Sequence, residues 1–151
     1  MWTAITRGIS PALADCELSF VERDAIDVAR ARAQHAAYGA ALESLGCDVL
    51  ELPADPAHPD SVFVEDVALA FDEVAIATRP GAESRRAEGV AVLDVLGSVR
   101  PVLRIEAPGT LDGGDVLRIG KRVFVGASAR SNAPGHAQLG ELLAPHGYTV
   151  V

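Results

Sequence analysis

The strongest constraint on the fold is an internal repeat. An acidic loop, a predicted β-hairpin, an arginine-bearing turn and a helix follow one another from Glu65 and again from Gly114. Asp66 then matches Asp115, 49 positions later (115 minus 66). With that shift, Val67 falls on Val116. A period of this length indicates a propeller-like or solenoid architecture, in which each unit buries its apolar face against the next.

Hydrophobic periodicity predicts an α/β chain. We expect residues 1–151 to form one incomplete propeller domain, with repeats at approximately 53–101 and 102–151, because the sequence stops inside a predicted strand. The predicted strands are 2–5, 47–52, 62–64, 67–71, 74–78, 102–105, 116–119, 122–125 and 148–151, and the predicted helices are 24–45, 84–96 and 133–143. Helix 24–45 is expected to bury the side of Ile26, Ala29, Ala33, Ala37, Ala41 and Leu45.

Composition limits the class of partner. The chain of 151 residues is 49% apolar and carries a net charge of −8, which argues against nucleic acid and anionic membranes and suits small cationic molecules. Two cysteines, Cys16 and Cys47, are too few for a disulfide scaffold and favour a reducing cytosol. Because no apolar run reaches the roughly 18 residues of a membrane span, we expect a cytoplasmic protein.

Carboxylates are concentrated in the segment Pro59–Asp66, where Asp60, Glu65 and Asp66 flank an apolar run. Acids beside a buried strand are costly unless a cation neutralises them. Arginines follow in the segment 79–86. Carboxylates placed to hold a guanidinium, with arginines placed to hold a carboxylate, form the charge pattern of a site for an arginine-like molecule.

Structural interpretations of the same residues remain open at this point. Asp60, Glu65 and Asp66 also suit solvated strand ends or turn caps, and Asp112 and Asp115 suit turns beside glycine. For Asp115 the structural interpretation is preferred. The pair Gly113–Gly114 is not a phosphate loop because no GK[ST] follows. Two potential ligands near His58 are too few to indicate a metal site, and both cysteines are more typical of buried apolar residues.

Four motifs occur in order along the chain: PDSVFVED (59–66), TRPGAESRR (78–86), TLDGGD (110–115) and VGASARSN (125–132). This series resembles the dimethylarginine dimethylaminohydrolases, members of the guanidino-group-modifying (pentein) superfamily, over nearly all 151 residues. The resemblance implies a five-fold pseudosymmetric α/β propeller of ββαβ-like modules, of which about three of five would be present here.

The resemblance also implies a reaction and a set of site residues. The expected reaction hydrolyses asymmetric dimethylarginine and monomethylarginine to citrulline and an alkylamine through a covalent cysteine intermediate. The expected guanidinium ligands are Asp60 and Asp66, and Glu65 resembles a further substrate-side acid. Arg85 and Arg130 resemble the arginines that bind the substrate's α-carboxylate. The remaining positions are Leu18, at a mobile lid residue, and Asp112, at the acid that orients the catalytic histidine.

The implied nucleophilic cysteine and catalytic histidine match no residue of this chain and are expected beyond Val151. We therefore expect no hydrolase activity from the 151 residues alone, no cofactor and no metal, and possible self-association through the open face of the propeller. Two alternatives are an arginine deiminase or amidinotransferase relative, and a non-catalytic arginine-binding or interaction module. Turnover of unmethylated arginine would distinguish the first alternative from a methylarginine hydrolase. Absence of a nucleophilic cysteine from the sequence past Val151 would favour the second, non-catalytic alternative.

Overall fold

The structure, a computed structural model, describes residues 2–18 and 22–151. Its contacts divide the chain into two compact units, Met1–Val64 and Glu65–Val151. Both units combine strands with helices, as the α/β prediction requires. Within the described residues, no helix is long and apolar enough to cross a membrane.

The N-terminal unit is built on a βαβ arrangement. Strand β1 (Trp2–Arg7) pairs in parallel with β2 (Cys47–Leu52), and helix α1 (Val28–Ser44) connects them. Parallel strands need such a crossover because a tight turn can join only antiparallel neighbours. A 3₁₀ turn at Leu13–Asp15 places Leu13 in a small apolar cluster with Ile9 and Cys16.

Helix α1 differs from its prediction in its start and in its buried face. It begins at Val28 rather than near Asp24, because the Asp27 carboxylate accepts the Arg30 N–H at 3.0 Å and caps the first turn. The predicted alanine side is exposed, and the half-buried positions are Val28, Ala31, His35, Gly39 and Leu42. Alanines recur on several sides of this helix, and each methyl group contributes too little burial energy to select a face.

The C-terminal unit contains two three-stranded sheets with one topology. In the first sheet, β3 (Ala68–Ala70) and β4 (Ala75–Ala77) form an antiparallel hairpin. The chain then passes through α3 (Val90–Gly97) and returns as β5 (Val102–Arg104), parallel to β4. Antiparallel pairing followed by a helical crossover produces the ββαβ order that the sequence predicts.

The second sheet repeats this order. Its hairpin is β6 (Val116–Ile119) with β7 (Arg122–Val125), and β8 (Thr149–Val150) lies parallel to β7 after helix α4 (Ala133–Leu143). Asn132 caps α4, since its side-chain oxygen accepts the Gly135 N–H at 2.9 Å, and the helix has its predicted bounds.

Strand pairing gives the spacing of the two hairpins. The paired strands of the first hairpin are joined by a turn at Asp72–Glu73, and those of the second by a turn at Gly120–Lys121. The second turn lies 48 positions after the first (120 minus 72). Asp66 and Asp115, matched by a shift of 49, are therefore not equivalent in the two ladders. The division into repeats at 53–101 and 102–151 stays a prediction.

Two predicted elements are wrong in detail. Residues 62–64 are not a buried strand: the Asp60 carbonyl accepts the Phe63 N–H at 2.9 Å in a turn, and the short helix α2 (Val64–Val67) follows. Phe63 is 41% exposed. Helix α3 begins at Val90, and the preceding residues form a separate 3₁₀ turn at Glu83–Arg85. Glycine at the N-cap, Gly89, separates that turn from the helix.

The core of the C-terminal unit joins both sheets. Ile76 of β4, Val123 of β7 and Leu139 of α4 are fully buried in one apolar cluster with Leu111. Each such side chain contributes about 1.5–3 kcal/mol relative to leaving it exposed, so this cluster dominates the packing energy of the unit.

A polar contact links the tips of the two hairpins. Glu73, in the first tip, receives hydrogen bonds from Lys121 Nζ and from the Tyr148 hydroxyl, both at 2.8 Å. The Lys121 ammonium also lies 3.8 Å from the centroid of the Tyr148 ring. The hydrogen bonds from Lys121 and Tyr148 lower the pKa of Glu73 from 4.5 to about 2.

We predict that Glu73→Gln lowers the melting temperature by about 1–2 °C at pH 7. Because the folded-state pKa lies below the ordinary value of 4.5, this contribution is present above pH 4.5 and disappears as pH falls toward 2. Thermal melts between pH 2 and 7 measure the effect. The control is Glu141→Gln, at an exposed residue of α4. A difference between Glu73→Gln and the unaltered protein that persists undiminished at pH 2 would contradict this account.

Candidate functional site

Asp66 is the residue on which the candidate site is built. Helix α2 presents it, and its two carboxylate oxygens have different donors. Oδ1 accepts the Gly114 N–H at 3.1 Å, and Oδ2 accepts Arg85 Nη1 at 2.7 Å. The Asp66 side chain is only 13% exposed, so both donors act in a partly desolvated environment and fix the orientation of the carboxylate.

Glycines at 113 and 114 allow the loop before β6 to approach α2. A Cβ atom on Gly113 would overlap the carbonyl oxygen of Glu65, and a Cβ atom on Gly114 would lie 2.6 Å from Asp66 Oδ1. Only residues without a side chain fit this approach. The sequence pattern GG therefore has a structural cause, which is close backbone contact rather than phosphate binding.

Arg85 is buried between two carboxylates. Its side chain is 5% exposed; Nε and Nη2 donate to Glu88 Oε2 at 3.1 and 2.9 Å, while Nη1 donates to Asp66. Burial by itself lowers the pKa of Arg85, but the hydrogen bonds to Glu88 and Asp66 outweigh it, so the pKa is raised. Arg85 is therefore a permanent cation that joins Asp66 to Glu88.

Asp112 occupies the next position in the cluster and is 2% exposed. Its Oδ1 accepts the Gly81 N–H at 2.9 Å. Its Oδ2 is buried and accepts no hydrogen bond from the described residues, although it forms an ion pair with Arg130 Nη1 at 3.7 Å. Burial raises the pKa of Asp112, the Gly81 hydrogen bond opposes that effect, and the charge of Asp66 adds to it.

Arg130 lies on a loop that Asp115 organises. The hydroxyls of Ser128 and Ser131 both donate to Asp115 Oδ2 at 2.6 Å, and the Arg130 N–H donates to Ser128 Oγ at 3.0 Å. The Arg130 side chain is 35% exposed, in contrast to buried Arg85. Asp115 thus has the structural role that the sequence favoured.

The structure brings together part of the predicted site. Asp66, Arg85, Asp112 and Arg130 belong to one charged cluster in the C-terminal unit. Glu65 is exposed on α2. Leu18 and Asp60 belong to the N-terminal unit, where Leu18 is 36% exposed and Asp60 Oδ2 accepts the Glu17 N–H at 2.9 Å. The roles assigned to these seven residues by resemblance stay predictions.

Glu88 is a member of the cluster that the sequence analysis missed. It is 2% exposed, which is rare for glutamate unless the charge is paired. The signal that would have found it is its spacing of three residues from Arg85, which suits an ion pair within one turn. The described residues contain no group of three or more His, Cys, Asp or Glu side chains arranged to hold a metal ion.

Comparison with solved structures defines the class of the fold. A Pseudomonas aeruginosa dimethylarginine dimethylaminohydrolase, a mutant complexed with citrulline, superposes with a TM-score of 0.93 at 42% identity, covering 97% of this chain and 58% of that one. The N-terminal domain of ArgZ, an arginine dihydrolase of Cyanobacteria, superposes at 0.84 with 18% identity, covering 97% of this chain and 55% of that one. The fold is that of the guanidino-group-modifying, or pentein, superfamily, as predicted.

Sequence comparison identifies the family. A dimethylarginine dimethylaminohydrolase of Streptomyces coelicolor is 47% identical over 150 residues, which is 98% of this chain and 58% of that protein. No family model matches the chain. The chain belongs to the dimethylarginine dimethylaminohydrolase family, and it spans somewhat more than half the length of this relative.

We predict that Gly113→Ala destabilises the protein by about 1–3 kcal/mol, because the added methyl group would force α2 and the glycine loop apart. Chemical denaturation measures the loss. The control is Gly140→Ala in α4, where a Cβ atom would meet Val150 Cβ at an ordinary 3.9 Å. Equal stability of the Gly113→Ala and Gly140→Ala variants would show that the close approach is not required.

We predict that Asp112→Asn is at least as stable as the unaltered protein at pH 7. The raised pKa means that ionised Asp112 costs stability as pH rises above the ordinary value of 3.8, whereas the amide keeps an oxygen for Gly81 and carries no charge. The advantage should disappear below pH 3.8. Denaturation at pH 3 and pH 7 measures it, with exposed Asp94→Asn as the control. A marked loss of stability at pH 7 would contradict the assignment of a buried, costly charge.

Proposed function

We propose that the whole protein to which this chain belongs hydrolyses N-methylated arginines, asymmetric dimethylarginine and monomethylarginine, to citrulline and an alkylamine. Family membership supports this reaction, and so does the citrulline complex of the Pseudomonas relative. The observation that carries the proposal is the buried cluster of Asp66, Arg85 and Glu88. Two carboxylates around one guanidinium leave a negative charge that suits a second, external guanidinium.

Binding would follow from complementary geometry. A methylated guanidinium is planar and cationic, and its N–H groups match carboxylate oxygens. We assign Asp66 and Asp60 to this group, with Glu65 as a further acid and Leu18 as a lid residue. Arg85 and Arg130 are assigned to the α-carboxylate; of the two, Arg130 is the more exposed side chain. Rigid support of Asp66 would hold the guanidinium carbon in line for attack.

The chemical step requires a nucleophile and an acid–base group, which we expect beyond Val151. A cysteine thiolate would form a bond to the guanidinium carbon, the bond to the alkylamine nitrogen would break, and the amine would leave with a proton from histidine. Water would then attack the same carbon and release citrulline, restoring the thiol. Asp112 is suited to orient that histidine because its buried Oδ2 has acceptor capacity for a ring N–H. The cytoplasmic location expected from composition is part of this proposal.

We predict that the longest natural product containing this chain releases citrulline from asymmetric dimethylarginine, and that residues 1–151 alone do not. Colorimetric assay of citrulline, with dimethylarginine and arginine as parallel substrates, measures both. Turnover of arginine instead would move the protein to a deiminase function. Turnover of neither substrate by that natural product would favour the arginine-binding interpretation and contradict the proposed reaction.

A further inference from the structure

Glu88 has no assigned role in the reaction, yet it is among the most buried charged residues of the described chain. Its side chain is 2% exposed, and it receives hydrogen bonds from Arg85 Nε and Nη2. Both nitrogens donate to Oε2, and Nε also lies 3.3 Å from Oε1, so both carboxylate oxygens of Glu88 contact the guanidinium. Charge-assisted hydrogen bonds of this kind are stronger than neutral ones. Burying such a pair is costly in desolvation, so its contribution to stability alone is a weak reason for it to be there.

Arg85 binds Asp66 at the same time, through a hydrogen bond of 2.7 Å from Nη1. If Arg85 had only this partner, the ion pair would be electrically neutral, and Asp66 would have little attraction for another cation. With Glu88 in place, two carboxylates share one guanidinium, and the group of three carries a net charge of −1. At the low effective dielectric of a buried site, one unit of charge has a large effect on the binding of a cation.

We infer that Glu88 is a positioning residue that offsets the charge of Arg85 and thereby keeps Asp66 available for a cationic ligand. It acts through Arg85, which it holds by two nitrogens, and Arg85 in turn holds Asp66 Oδ2. This inference rests on the proposed function, because Asp66 is the residue assigned to the guanidinium of the substrate.

The charge of Glu88 should affect cationic and neutral ligands differently. Arginine and citrulline share their α-amino acid portion and differ at the end of the side chain, which is a cationic guanidinium in arginine and a neutral ureido group in citrulline. Loss of the Glu88 charge should weaken binding of arginine more than binding of citrulline. Loss of structural support would instead weaken both ligands by the same factor, since both occupy the same site.

The experiment is isothermal titration calorimetry of arginine and of citrulline with the longest natural product containing this chain. Glu88→Gln keeps the size and a hydrogen-bonding oxygen but removes the charge. We expect the ratio of the arginine Kd to the citrulline Kd to rise on the order of tenfold, which corresponds to about 1.4 kcal/mol of charge-dependent binding free energy. Glu88→Asp keeps the charge and should leave the ratio close to that of the unaltered protein.

Glu83→Gln is the matched control. Glu83 pairs with Arg86 at 3.2 Å across the same three-residue spacing, but its side chain is 89% exposed. Water screens that pair, so its loss should leave the ratio unchanged.

A second variant covers the case in which Glu88→Gln does not fold because Arg85 is left buried with too little negative charge. Arg85→Met with Glu88→Leu removes both charges of the pair and replaces them with apolar side chains, a change that buried pairs often tolerate. Asp66 then keeps its charge, so the ratio should return to that of the unaltered protein, even if the loss of Arg85 weakens both ligands together.

The outcomes separate this inference from the proposed function. Citrulline release from dimethylarginine by the unaltered protein tests the reaction by itself. A selective loss of arginine binding in Glu88→Gln, restored in the double variant, supports the role of Glu88. Equal losses for both ligands, an unchanged ratio, or a double variant that prefers citrulline would overturn it, as would failure of the unaltered protein to bind either ligand.

Discussion

The candidate site depends on one close approach of backbone to backbone. The loop at Gly113–Gly114 reaches the helix that carries Glu65 and Asp66, and it does so because neither glycine has a side chain. That approach brings the Gly114 N–H to Asp66 Oδ1 and starts β6 at Val116. The same contact therefore fixes a carboxylate of the site and begins the second sheet, so that fold and site share a structural cause.

Charge burial explains the composition of the cluster around this contact. A carboxylate can be buried only with donors, and each carboxylate here has its own: Asp66 has Gly114 and Arg85, Glu88 has Arg85, and Asp112 has Gly81. These donors also fix where the bonded oxygens lie, whereas Asp112 Oδ2 is buried without a hydrogen bond from the described residues. Recognition of a planar guanidinium benefits from this pre-organisation, because ordering a flexible carboxylate on binding would reduce the affinity.

Sequence reasoning succeeded where a local rule decides the structure. Strands 116–119 and 122–125 and helix 133–143 have the predicted bounds, because the turn at Gly120 and the Asn132 cap decide them locally. It failed where tertiary contacts decide. Nothing local distinguishes the alanine faces of α1, and a Val-Phe-Val run has strong strand propensity although the Asp60 turn prevents a strand there. Glu88 was missed because its burial depends on Arg85 being drawn toward Asp66, a contact 19 residues apart in sequence.

The central claim is that Asp66 holds the guanidinium of an arginine-like ligand. The affinity of an Asp66→Asn variant for asymmetric dimethylarginine tests it most directly, with catalysis prevented by replacing the nucleophile and with Asp94→Asn, an exposed residue of α3, as the control. Loss of a charge-assisted hydrogen bond of this kind should raise the Kd about a hundredfold. A Kd equal to that of the control variant, in a folded protein, would show that the carboxylate at position 66 does not bind the ligand.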